Sequence, residues 1–303
     1  MRVVCLSGGV GGAKLAAGLY EELAPGELTI VGNVGDDVEV LGLHVSPDLD
    51  SVLYALAGLN DVERGWGRAG ETWQALESAR AWGGEGWFAL GDLDLGLHLV
   101  RTQALRGGAT LHEATGALTV AAGLHATLLP VTDDPVRTQV VTPAGTFAFQ
   151  EWFVVRQHRD EVDALVYEGI EAARPAPGVL DALAAADVVV LAPSNPYVSL
   201  LPVLGVPGVR DALAARTCPC VAVSPLIGGR AVKGPLDRML RRMAGDTSPA
   251  AIAALYPGLL DVLVVDTSDA EAAAAVPLVP ADTLMTDREA ARRLARRTLE
   301  AIT

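Results

Sequence analysis

The chain has 303 residues, half of them hydrophobic, enough for one large core or two closely joined ones. Its formal charge of −14 excludes general binding to nucleic acid or to an anionic membrane, since phosphate backbones are held by clustered Lys and Arg. A small anionic ligand held locally, or phosphate held through a divalent metal, stays compatible with that charge.

In chain order, a short apolar run, Val3 to Leu6, meets Ser7-Gly8-Gly9, then Gly11-Gly12 and Lys14. Leu15, Leu19 and Leu23 follow four apart and give a helix one apolar stripe, which Pro25-Gly26 ends. Leu28 to Val31 is the next strand. Strand, helix, strand opens a parallel sheet with right-handed crossovers. Residues from about 60 to 125 read as a helical insertion or cap, with helices near 70–82, 93–106 and 110–123. Residues 127–167 read as short strands around a Pro143-Ala144-Gly145 turn. The β-branched run in 186–196 is a strand buried on both faces, and 218–225 and 261–266 repeat the signal. Helices near 178–185, 208–215, 234–244 and 287–301 alternate with them, and the alanines at 270–275 read as helix. The expectation is a single α/β domain over 1–303: Rossmann-like, a mostly parallel sheet with helices on both faces, a helical insertion and a small antiparallel segment.

Three cysteines, Cys5, Cys218 and Cys220, are too few and too odd in number for a disulfide framework. The C-x-C of TCPC is too small for a zinc site, so these read as buried strand residues. The amino terminus lacks a basic region followed by an apolar core and a cleavage site, and no apolar run reaches spanning length. A cytoplasmic protein is expected, and a homodimer is the base-rate assembly.

Ligands of an open parallel sheet gather outside the carboxyl ends of its strands. Four strands here end in polar or special residues: Ser7-Gly8-Gly9; Gly32-Asn33 through Asp36-Asp37; Pro193-Ser194-Asn195; and Ser224-Pro225 through Gly228-Gly229. Their convergence favours one composite site. Glycine after a strand and before a helix lets backbone amides approach a phosphate. The P-loop pattern is not met, because Ala13 stands where its second glycine belongs; the dinucleotide pattern fails at Lys14. Asp48 and Asp50 precede an apolar helical run. They either hold a divalent metal that bridges to phosphate or cap a helix beginning near Ser51. Asp92 and Asp94 could likewise cap the helix near 93–106, with His98 one turn after Asp94. No G-x-S-x-G, H-E-x-x-H or C-x-x-C is present, so hydrolase and redox chemistry lack their carriers. Metal-assisted chemistry on phosphates remains.

SGGVGGAKL, NVGDD, SPDLDSVLYALAGL, RGWGRAGETW, GDLDLGLHLVR, FQEWFV, APSNPYVSLLPVLGVPGVRDAL and SPLIGGRAVKG resemble, in this order, the 2-phospho-L-lactate transferase family. The resemblance runs from Met1 to about Thr286, and RGWG with ETW is similar to the actinobacterial branch. It implies magnesium-dependent transfer of a phospholactyl or phosphoenolpyruvyl group from a guanosine diphosphate conjugate to the ribityl hydroxyl of the deazaflavin Fo. The products are coenzyme F-420-0 or its dehydro form, and GMP. It implies Gly8, Gly9, Gly11 and Gly12 at the shared ligand site, and Asp50 ahead of Asp48 at the acceptor hydroxyl and the metal. Asn33 and Asp37 would lie near the phosphates, and Ser194, Asn195, Ser224 and Gly228 around the guanosine nucleotide. The family carries Lys or Arg where Leu93 stands, a residue tied to Fo binding; Arg101 or Arg68 is the candidate replacement. The alternatives are a non-catalytic nucleotide-binding regulator of the same fold, or a sugar-nucleotide transferase.

Overall fold

The computed structural model describes residues 1–302. Its strands in chain order are β1 (Val3–Ser7), β2 (Leu28–Gly32), β3 (Val38–Val40), β4 (Leu43–Val45), β5 (Thr127–Pro130), β6 (Arg137–Thr142), β7 (Gly145–Ala148), β8 (Ala164–Glu168), β9 (Val188–Leu191), β10 (Cys220–Val223), β11 (Leu226–Ile227), β12 (Arg230–Ala231), β13 (Val262–Asp266) and β14 (Leu278–Ala281). The α-helices are α1 (Gly9–Glu22), α2 (Pro47–Ala57), α3 (Gln74–Ala81), α4 (Asp92–Arg106), α5 (Leu111–Ala121), α6 (Val179–Ala185), α7 (Leu201–Gly205), α8 (Val209–Ala214), α9 (Leu236–Met243), α10 (Pro249–Ala254) and α11 (Arg288–Glu300).

Seven strands form one parallel sheet in the order β14-β13-β10-β9-β1-β2-β5. In β1, Val3 sits in register with Leu28 on one side and Val188 on the other. Strands β1, β9 and β10 are buried at every position, as runs covered on both faces must be. From β1 the chain builds outward through β2 to β5; it then crosses to β9 and builds the other way through β10, β13 and β14. The order therefore reverses between β1 and β9, and an open sheet leaves a crevice at such a point. The expected α/β architecture is the observed one.

Helix α1 packs between α2 and α11. A Cβ on Gly18 would lie 2.2 Å from the Ala291 carbonyl oxygen, so only glycine admits the backbone of α11 this closely. Helices α3, α4 and α5 fall in the long crossover from β2 to β5, within the span read as a helical insertion. Strands β7-β6-β8 make a separate antiparallel sheet. Among the described residues no helix is long and apolar enough to cross a membrane.

The structure corrects several local expectations. β5 belongs to the main sheet, beside β2, although its residues read as part of the antiparallel segment. Residues 270–275 are not helical. That run is short and lies between the parallel neighbours β13 and β14, and an isolated turn of helix is marginal without a packing face. α2 begins at Pro47, so neither Asp48 nor Asp50 is its cap. Nor do Asp92 and Asp94 cap α4: the Leu93 and Asp94 amides donate to the Glu71 carboxylate at 2.8 and 2.7 Å. Asp92 instead accepts from the Gln74 and Ala75 amides that open α3. The two helix starts cap one another.

Candidate active site

A cavity of about 700 Å³ opens at the carboxyl rim, over the point where strand order reverses. Gly8, Gly9 and Gly11 face it after β1, Ser194 and Asn195 after β9, and Ser224 after β10. Asp48 and Asp50, from the first turn of α2, face it as well. Eight of the twelve residues singled out in the sequence thus share one cavity. Gly12, Asn33, Asp37 and Gly228 lie behind or beside its wall.

The glycines act through close approach more than as an open loop, because α1 already begins at Gly9, with φ at +62°. A Cβ on Gly8 would lie 2.4 Å from Asp48 Oδ2 and 2.6 Å from Ser199 Cβ. One on Gly11 would meet the Pro193 carbonyl oxygen at 2.4 Å, and one on Gly12 the Ser7 and Ser194 hydroxyls at 2.5 Å. Gly12 therefore serves the packing of α1 on the ends of β1 and β9. Ser194 ties those ends together: its hydroxyl donates to the Gly8 carbonyl at 2.7 Å and accepts from the Gly8 amide at 3.1 Å.

Asp48 is clamped to this turn. Its Oδ1 accepts from the Gly9 amide at 2.6 Å, and its Oδ2 from the Asn33 side-chain amide at 3.0 Å. Asn33, fully buried, also donates to Asp36 Oδ1 at 2.8 Å and the Val198 carbonyl at 3.1 Å. It is a strut that holds two carboxylates. Asp37 accepts from the Ser46 hydroxyl at 2.9 Å, and its Oδ2 lies 3.0 Å from His44 Nε2. Asp36, Asp37 and Asp48 thus crowd one buried region. Burial, then the charges of Asp48 and Asp37, push Asp36 well above the usual carboxylate range. Burial raises Asp48 to about 6, against the hydrogen bonds from Asn33 and Gly9, while the charge of Asp37 adds to the rise.

Asp50 stands in different company. Both its oxygens accept from the Arg101 guanidinium, Nη1 at 3.0 Å and Nη2 on the other oxygen, and Arg101 is 1% exposed. Burial works against the Arg101 charge, but Asp50 outweighs it and holds the group above its ordinary pKa. His98 lies between two carboxylates, its Nδ1 3.8 Å from Asp50 and its Nε2 3.2 Å from Asp94. Asp94 also accepts from the Tyr54 hydroxyl at 2.5 Å. Burial tends to raise Asp94, yet the hydrogen bond and charge of His98, with Tyr54, bring it below its usual value. Arg101 is therefore committed inside the protein, whereas Leu93 is exposed. Arg68 donates to the Leu93 backbone carbonyl at 3.5 Å, which puts a guanidinium beside that position.

The wall also has an aromatic part, outside the residues expected from the sequence: Tyr54, Trp66, Phe88, Phe149 and Phe153 all face the cavity. Phe149 and Phe153 stack, with centroids 5.4 Å apart. The signal was present in FQEWF, where two phenylalanines four apart share a helical face.

Acidic side chains are hard oxygen donors suited to magnesium, which keeps several waters and takes one or two carboxylates plus substrate oxygens. The donor set fits. Asp36, Asp48 and Asp50 face the cavity; burial first, and then the charge of neighbouring carboxylates, raises Asp36 and Asp48, and a cation would relieve that cost of buried negative charge. Among the described residues no group of three or more His, Cys, Asp or Glu makes an all-protein cage, so the ligand would have to complete the sphere.

The model of the 2-phospho-L-lactate transferase CofD family matches residues 3–302. Phosphoenolpyruvate transferase of Kitasatospora aureofaciens is 44% identical over 99% of this chain and 97% of its own length. Those of Streptomyces griseus and Mycolicibacterium smegmatis are 43% and 38% identical, each over 99% of this chain and 98% of theirs. A crystal structure of a UPF0052-family protein from Bacillus halodurans shares the fold, with a TM-score of 0.64 at 17% identity over 98% of this chain and 99% of that one. The chain belongs to the 2-phospho-L-lactate transferase family, and it is a transferase.

Proposed function

We propose that this enzyme moves a phosphoenolpyruvyl group from a guanosine diphosphate conjugate to the terminal ribityl hydroxyl of Fo, giving dehydro-F-420-0 and GMP. The observation that carries the reading is the shared cavity, whose wall combines a glycine turn, buried carboxylates and a set of aromatic rings. Its volume of about 700 Å³ is that of a small-molecule site. A tricyclic deazaflavin suits the aromatic rings, and a diphosphate suits the amide-bearing end of α1 with magnesium. The relatives' name favours the enolpyruvyl over the lactyl group. The acidic charge and unpaired thiols suit a reducing cytoplasm.

The acceptor hydroxyl attacks the β-phosphorus, the one bearing the three-carbon acid. An oxygen–phosphorus bond forms, the bridge to the α-phosphorus breaks, GMP leaves with the bond's electrons, and the hydroxyl proton passes to solvent water. Magnesium, when bound, neutralises charge on the diphosphate oxygens. Asp48 and Asp50 would hold it. A carboxylate has lone pairs for more than one partner, so Asp50 can keep Arg101 while doing so. Both Asp50 oxygens are taken by the Arg101 guanidinium, which assigns Asp50 to positioning and to holding the cation, not to taking the proton. Asp48, fixed on the Gly9 amide, would set the diphosphate against the turn.

The test is to incubate the protein with Fo, magnesium and each donor in turn, enolpyruvyl and lactyl, and weigh the product. Formation of dehydro-F-420-0 with release of GMP is expected. No product from either donor, with Fo fluorescence unchanged on adding protein, would overturn the reading.

A further inference from the structure

The chain uses lysine twice in 303 residues, at Lys14 and Lys233, against twenty-one arginines. Its cationic chemistry is otherwise arginine's throughout. Folding brings these two, from opposite parts of the chain, to the wall of one cavity. Lys14 lies on α1 past the glycine turn, and its ammonium donates to the Met285 carbonyl at 2.7 Å. Lys233 follows β12 in a loop, with its ammonium packed where a Cβ on Gly65 would stand, 2.0 Å away. Glycine at 65 leaves the room it occupies.

Among the described residues neither lysine forms an ion pair. The carboxylates nearby are engaged elsewhere. Asp287 accepts from the Ala290 amide and the Thr286 hydroxyl. Asp61 holds Arg64 at 2.7 Å, and Asp50 holds Arg101. Burial and the charge of Lys233 both lower the pKa of Lys14, while Asp287 opposes them. Lys14 and Gly65 line one small recess of that wall, and the Lys233 ammonium lies against Gly65, so the two cationic side chains meet there, an arrangement that an anion would relieve.

We propose that Lys14 and Lys233 form a two-pronged anion subsite for the donor, taking its carboxylate or one of its phosphates. The identity of that anion rests on the transfer reading above; the subsite rests on the two lysines. Lysine suits the task because an ammonium is a compact charge with three rotatable donors on a flexible stem, able to follow an anion whose position changes. The planar fork of arginine is larger and fixed in geometry.

Trace reductive ¹³C-methylation of the full chain labels only these two side chains and the α-amino group, and it preserves their charge. Substitution K14R and K233R assigns the two resonances. Both are expected to shift on titration with GDP if the anion is a phosphate, or with phosphoenolpyruvate and not GDP if it is the carboxylate. K14Q and K233Q should each weaken binding of the responding probe about tenfold or more, the worth of a charge-assisted hydrogen bond. Unmoved resonances with both probes, or wild-type affinity in both glutamine variants, would overturn the subsite. Shifting resonances in a protein that makes no product from Fo would instead sink the transfer reading and leave the subsite standing.

Discussion

Arg101, from the middle of α4, reaches across to α2 and takes both carboxylate oxygens of Asp50 with its guanidinium fork, one contact measuring 3.0 Å. Asp50 faces the cavity while Arg101 stands behind it, so a helix of the β2–β5 crossover fixes the orientation of a residue at the site. Removing one partner of a buried pair leaves a charge with no counterpart. Arg101→Gln is expected to cost about 3–5 kcal/mol, and Arg101→Lys less, since it keeps the charge and loses the fork. Urea unfolding of the two variants beside wild type measures both. Equal stability in all three would mean that the pair is solvated and does not hold Asp50.

Asp50→Asn keeps the shape of the side chain and removes its charge. If Asp50 holds the cation that offsets charge at the reacting phosphorus, turnover should fall by on the order of 10²-fold or more, as when a transition-state contact is lost. The rate must be taken per folded molecule, because the substitution also strands Arg101. Turnover close to wild type at saturating magnesium would remove Asp50 from the chemistry.

The strands of the main sheet were readable where apolar, β-branched residues run unbroken, as in Val188–Leu191 and Val262–Asp266. β14 was missed because Leu278–Ala281 is short, holds a proline and sits at the sheet edge. The convergence of Gly8, Ser194 and Ser224 was legible, since each follows a strand of a parallel sheet and such ends share a rim. The place of Asn33 was not. Its position after β2 predicts a ligand contact, but its amide is spent on Asp36, Asp48 and Val198 inside the wall. Likewise nothing local in GDLD says that Asp92 caps α3 while Glu71 caps α4, because that exchange depends on where two helices meet.

Gly8 and Gly18 face similar steric limits with different consequences. A Cβ at Gly18 collides with the Ala291 backbone between α1 and α11, and Gly18 does not line the cavity. Gly18→Ala should lower stability by about 1–3 kcal/mol and leave kcat/KM per folded molecule near wild type. A Cβ at Gly8 collides with Asp48 Oδ2 and Ser199. Gly8→Ala should therefore reduce kcat/KM, about tenfold or more if Asp48 is displaced from the Gly9 amide. Thermal unfolding and steady-state kinetics on the pair separate a packing glycine from a site glycine. The same kinetic loss in both would show that the two positions act only through the fold.

Asp48 makes stability depend on pH in a direction opposite to an ordinary paired aspartate. Its folded pKa is raised to about 6, from 3.8, chiefly by burial. The folded state therefore binds the proton more tightly than the unfolded chain does. The associated stabilisation is complete below about pH 4 and is lost as pH rises through about 6; above that, the buried charge costs roughly 3 kcal/mol. Asp36 is shifted the same way, partly by the charge of Asp48, so replacing Asp48 also relieves Asp36. Wild type measured against Asp48→Asn should gain relative stability as pH falls from about 7.5 to about 4.5, read from urea midpoints at each pH. Magnesium, which competes with protons for these carboxylates, should raise the wild-type unfolding temperature more at pH 7.5 than at pH 5. A wild-type-minus-variant difference that is flat with pH would place the proton uptake elsewhere. An equal magnesium effect at both pH values would remove Asp36 and Asp48 from the cation's surroundings.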